Sequence, residues 1–200
     1  MQASVGARRW LRTLDRAMYK LGRMEADRWI EHSYPAVYEV STSGGGIQRL
    51  VVGVPGGDPE VFTRLVTCLE PPYYLLYVLH TPRGEGEAGR YQSPELSPSQ
   101  FRQFISRFGL LLSQDARFDI WAYSPAEQAT VVWDRHNQVF AHGPVARMQS
   151  ELEQLGFSPG ALKVPVPHEH HYRAELDPIA KELLEAFEWS YSPLRPEDKQ

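Results

Sequence analysis

Thr130-Val-Val-Trp-Asp-Arg-His-Asn-Gln-Val-Phe-Ala141 decides the fold class of this chain. Two short apolar runs, Thr130 to Trp133 and Gln138 to Ala141, flank a polar knot, Asp134-Arg-His-Asn137. Asp and Asn side chains accept hydrogen bonds from nearby backbone amides, and Asn tolerates positive φ, so the knot reads as a turn. Two β-rich runs joined by so short a turn predict a hairpin. A hairpin dictates antiparallel pairing, because parallel neighbours need a long crossover. A second hairpin is expected from Val37–Ser41 and Ile47–Val54 around Ser43-Gly-Gly-Gly46. Tyr73 to His80 is apolar on both faces and predicts a central strand, and Phe118 to Tyr123 predicts another.

Helices are expected between these strands. Asp58-Pro59 and Ser97-Pro98 each place a capping side chain ahead of a proline suited to the first helical position. The second opens a helix over 97–114 with Phe101, Phe104, Ile105, Phe108, Leu111 and Leu112 on one stripe. Further helices are expected over 145–155, ended by Gly156, and over 178–189, capped by Asp177. Phe104, Phe108, Leu111, Trp121, Val132 and Phe140 are expected to share one core. Residues 7–30 read as an N-terminal helix, with Trp10, Leu14, Met18, Leu21 and Met24 on an apolar stripe. Arg9, Arg12, Arg16, Lys20 and Arg23 form a basic one. The expected architecture is α+β. Residues 1–32 form a basic amphipathic helix, and 33–200 form a single domain with a mainly antiparallel sheet of five to six strands and packed helices.

Bulk composition narrows the function classes. With 200 residues, 42% hydrophobic and 23 Trp, Tyr and Phe residues, the chain can bury a core without disulfides or metal. One cysteine, Cys68, excludes an internal disulfide, and its apolar neighbours make it a small core residue. No apolar run is long enough to span a membrane, and no secretory signal precedes the domain, so a cytoplasmic location is expected. Residues 1–30 carry seven Lys/Arg against three Asp/Glu, while the rest carry 14 against 22. An acidic body repels phosphates, so no nucleic acid partner is expected there. The basic N-terminal helix could contact an acidic partner or a lipid surface.

Two clusters are candidates for chemistry. In Pro165-Val-Pro-His-Glu-His-His-Tyr172, alternation along an extended segment puts His168 and His170 on one face and His171 on the other. Two imidazoles supply half of a zinc or iron site, and Asp134 and His136, or His142, are the donors available to complete it. Asp134, Arg135, His136 and Asn137 form the second knot, where Asp134 could orient His136 as a base. Together with His168, His170 and Tyr172 these are the candidate binding residues. His168, His170 and His136 are the candidate metal ligands. Gly84-Glu-Gly-Glu-Ala-Gly89 has dinucleotide-loop spacing, but no helix can open behind it before Pro94, and its glutamates would face phosphate. Residues 82–98, rich in Gly, Pro and Glu, are expected to form a mobile surface loop.

Val131-Val-Trp-Asp-Arg-His-Asn137, Phe140-Ala-His-Gly143, Leu155-Gly-Phe157 and Pro165-x-Pro-His-x-His-His-Tyr172, with Trp189 and Ser192-Pro-Leu194, resemble uncharacterised bacterial proteins of about this size. The resemblance spans roughly residues 118–196. It implies a bacterial origin and transfers no catalytic role. With no complete catalytic set in the sequence, the leading expectation is a non-enzymatic protein-binding factor of accessory, adaptor or immunity type. It would need no cofactor, and its acidic body would suit a basic protein partner. The alternative is a metal-dependent hydrolase built on His168 and His170 with zinc or iron.

Overall fold

The computed structural model describes residues 18–42 and 46–198. Twelve strands and four α-helices follow in this order: β1 (Leu21–Glu25), β2 (Arg28–His32), β3 (Val37–Thr42), β4 (Gln48–Gly53), α1 (Pro59–Thr67), β5 (Tyr74–Leu79), β6 (Gly89–Gln92), α2 (Pro98–Gln114), β7 (Phe118–Ser124), β8 (Ala129–Trp133), β9 (Gln138–His142), α3 (Val145–Gln154), β10 (Ser158–Pro159), β11 (His168–His170), α4 (Asp177–Leu184) and β12 (Ser190–Ser192). The main sheet has nine strands in the order β10-β3-β4-β9-β8-β7-β5-β6-β12, and a separate sheet has the order β11-β1-β2. The fold is therefore α+β, but the expected sheet of five or six strands is corrected to nine plus three. The main sheet is mixed, because β10 runs parallel to β3 while every other pair is antiparallel. Both predicted hairpins are present as β3–β4 and β8–β9, and β5 is central between β6 and β7.

The expected N-terminal helix is overturned over its described part. Residues 7–17 lie outside the described residues. Beyond them, β1 and β2 form a hairpin turning at Ala26 (φ 46°) and Asp27 (φ 60°). Positive φ at both central residues is the geometry that matches strand twist, and it usually draws Asn-Gly, so Ala-Asp hides it. Pairing with β11 decides the conformation, and the expected stripes break apart: Leu21 is buried while Met24 is exposed, and Lys20, expected on the basic stripe, is completely buried. Among the described residues, no helix is long and apolar enough to cross a membrane.

Helices pack on one face of the main sheet. Ser97 and Gln100 form a reciprocal capping box at the start of α2, and Asp58 caps α1. Phe101, Phe104, Phe108 and Leu111 of α2 join Ile120, Ala122, Val131, Trp133, Val139 and Ala141 of β7–β9 in the core. Trp121, Val132 and Phe140, expected in that core, alternate to the opposite face. There they line a cavity of about 580 Å³. Both faces of these strands carry apolar residues, so alternation alone does not say which is inside.

The expected mobile loop is instead fastened. Residues 89–92 form β6, and Glu85 is buried against the guanidinium of Arg117, itself wholly buried. Arg117 makes bidentate bonds of 2.8 Å each to Asp115 and reaches Asp177 at 2.8 Å and the Arg173 carbonyl at 3.0 Å. Burial works against its charge, but Asp115, Glu85 and Asp177 outweigh that and raise its pKa. Asp177 is thus committed to arginines, to Arg83 as well as Arg117, rather than capping α4.

Candidate metal centre

The β8–β9 turn is tied from every side. Asp134 Oδ1 accepts from the backbone N–H of His136 at 3.0 Å and of Gln138 at 2.8 Å. Asn137 has φ of 61° and is buried; its amide accepts from Trp133 Nε1 and donates to the Val54 carbonyl. Lys20 Nζ donates to the Asp134 carbonyl at 2.9 Å from beneath and lies 4.5 Å from the Trp133 ring centre. Burial lowers the Lys20 pKa to about 8, against the pull of Asp134, Asp119 and Asp115. The turn reading and the site reading of 134–137 are therefore one structure: the turn aims His136.

β11 brings the other imidazoles. It pairs with β1 in the register Leu21↔His170, Gly22↔Glu169 and Arg23↔His168. A Cβ at Gly22 would sit 2.9 Å from Glu169 Oε1, so glycine leaves room for the Glu169 side chain to lie over β1. His168 and His170 point toward His136. His171 points elsewhere, with Nδ1 3.0 Å from the Tyr19 carbonyl and Nε2 3.3 Å from Glu169.

The three ring centres of His136, His168 and His170 lie 4.9–5.4 Å apart, and one ring nitrogen from each falls within 4.8 Å of the others. His136 Nδ1 donates to Asp134 Oδ2 at 2.9 Å, and His168 Nδ1 donates to the Pro165 carbonyl at 2.9 Å. Each such bond leaves Nε2 as the lone-pair nitrogen, the arrangement by which outer partners set up histidine ligands. His170 Nε2 is buried with no hydrogen-bond partner among the described residues. Burial, followed by the neighbouring His136 and His168, lowers the His170 pKa to about 4, so this imidazole is neutral at pH 7.

Asp119 and His80 were not singled out from the sequence. Asp119 Oδ2 pairs with His80 Nε2 at 2.8 Å, and Oδ1 accepts from the Arg135 backbone N–H at 2.8 Å. Burial, the largest single influence, opposes ionisation of Asp119, but the His80 bond and charge together with the Arg135 N–H and charge outweigh it, and its pKa is lowered. These residues meet across β5 and β7, whose register no local pattern encodes. Among the other expected residues, Arg135 and Asp134 line the cavity with His136, while Tyr172 stands at the edge, its ring 6.3 Å from His170. His142 lines the same cavity but is not part of the histidine triple.

Comparison of the chain with protein-family models, with curated proteins and with solved structures gave no match.

Proposed function

We propose that His136, His168 and His170 bind one divalent transition metal, zinc foremost, and that the centre is hydrolytic. The convergence of three imidazoles, two already bonded through Nδ1 and the third buried without a partner for its Nε2, carries this reading. Three histidines plus an open position is a catalytic zinc arrangement, and Zn–N bonds of about 2.0–2.1 Å place tetrahedral ligand atoms about 3.4 Å apart. The nitrogens here lie within 4.8 Å of one another, so a bound ion would draw them together by about 1.4 Å. His136 also lines the cavity, from which water and substrate would approach an ion held there. Zinc held there would lower the pKa of a bound water to about 7 and would polarise a scissile carbonyl or phosphoryl group.

Metal analysis of purified protein tests the proposal. One zinc per chain is expected, lost in a His168→Asn/His170→Asn double variant and retained in His171→Asn. Chelator should lower the Tm of the wild type and leave the double variant unchanged, because ligand binding to the folded state is stability. Protein that takes up no zinc at micromolar concentration would sink the reading. The acidic surface would then favour the alternative, a binding protein for a basic partner.

A further inference from the structure

The cavity beside the histidines holds one guanidinium that none of the carboxylates in its walls pairs with. Its floor is the outer face of β4, β9, β8 and β7, with Trp121, Val132 and Phe140 as the apolar part. Most carboxylates on its rim are already engaged. Asp119 is held by His80 and the Arg135 N–H, Asp134 by His136, and Asp198 by Arg90 at 2.6 Å and the Arg195 N–H at 2.8 Å. Glu197 is mostly exposed and lies 3.9 Å from Arg195.

Arg49 is the exception. Its guanidinium lies 5.0 Å from the Phe140 ring centre, no carboxylate among the described residues pairs with it, and its Nε is shielded from solvent without an acceptor. It lies across from His142, one step past the Leu50↔Ala141 pair, and after burial its charge is the further cause that lowers the His142 pKa. A planar, always-charged fork laid on an aromatic face is a carboxylate or phosphate receptor.

From this we infer that Arg49 is the anion subsite of the cavity and that its ligand is an amphiphilic organic anion. The acid group pairs with Arg49, and an apolar body lies over Phe140 and Val132 toward His136. Arg49, Phe140, Val132 and His136 line one cavity of about 580 Å³, so the ligand is an organic anion with an apolar body and not a lone inorganic ion. That this anion is the substrate of the metal centre rests on the reading above; that it binds at Arg49 does not.

Calorimetric titration separates the two. The probes are 6-phenylhexanoate, 6-phenylhexyl phosphate, inorganic phosphate and the neutral 6-phenylhexan-1-ol, added to metal-free wild type and to the His168→Asn/His170→Asn variant. Either phenyl-bearing anion should bind both proteins alike, at least tenfold tighter than the alcohol and than inorganic phosphate, and the stronger of the two identifies the acid group. Arg49→Gln should weaken that binding at least tenfold, with Arg49→Lys restoring part of it. An alcohol that binds as well as the anions, or an Arg49→Gln protein of wild-type Tm that binds as the wild type does, overturns the inference. If Arg49→Gln fails to fold, the comparison of acid with alcohol on the wild type decides alone. None of these outcomes depends on whether zinc binds.

Discussion

Lys20→Met should change the pH dependence of stability by an amount the structure fixes. Lys20 is completely buried between the Asp134 carbonyl, Trp133 and Phe118, and burial takes its pKa from 10.5 to about 8. Below pH 8 the lysine is charged in both the folded and the unfolded chain. Between pH 8 and 10.5 the folded protein has released the proton while the unfolded chain still holds it. Stability conferred by the wild-type residue therefore rises with pH across that window. At 1.36 kcal/mol per pH unit, the full rise is about 3 kcal/mol, of which less than half is present at pH 9 and most at pH 10. Methionine has a similar shape and no proton to exchange. Urea unfolding of both proteins at pH 7, 8, 9 and 10 gives the difference directly, because every other titrating group is common to the pair. The wild type should gain on Lys20→Met as pH rises. A gap constant to within about 0.5 kcal/mol would mean that Lys20 titrates as it does in an unfolded chain, and the buried anchor beneath the turn would be refuted.

Phe108→Ala should destabilise the protein by about 3–5 kcal/mol, since Phe108 is buried on α2 with its ring tilted against that of Phe104, centres 5.0 Å apart; urea unfolding that shows less than about 1 kcal/mol would put this stripe outside the core. Asp134→Asn keeps the Oδ1 acceptor that holds the turn but removes the carboxylate oxygen bonded to His136 Nδ1. Zinc affinity measured by competition with a chelating dye should fall about 10- to 100-fold, and an unchanged affinity would separate Asp134 from the metal centre.

Legibility of the fold follows the range of the interactions that decide each part. The β8–β9 hairpin, the central β5 and the capped α2 are set by neighbours in sequence and can be read there. The β1–β2 hairpin cannot, because its three- and four-residue apolar spacing imitates a helix. Only the pairing of Leu21 with His170 and the burial of Lys20 select the strand. Trp121, Val132 and Phe140 illustrate a second limit: with apolar residues on both faces of β7–β9, the choice between core and cavity is made by where the helices pack. For the site, period-two alternation suffices to place His168 beside His170, and His136 belongs to the donors that the sequence offers them. Arg49, Asp119 and His80 stay hidden, since their relevance arises from strand registers that join residues far apart in the chain.

The ladder of β11 has a single partner, β1, and its three residues belong to the small sheet, whereas His136 rides on the nine-stranded one. Strands so lightly attached sample open states well before the whole molecule unfolds. An ion held by all three imidazoles would act as a latch across the two sheets, raising the opening free energy by RT ln(1 + [metal]/Kd). The occupancy of the centre would then be written into the exchange rates of the backbone amides along β1 and β11, while those of β5 and β7 keep the same pace whether the latch is shut or not.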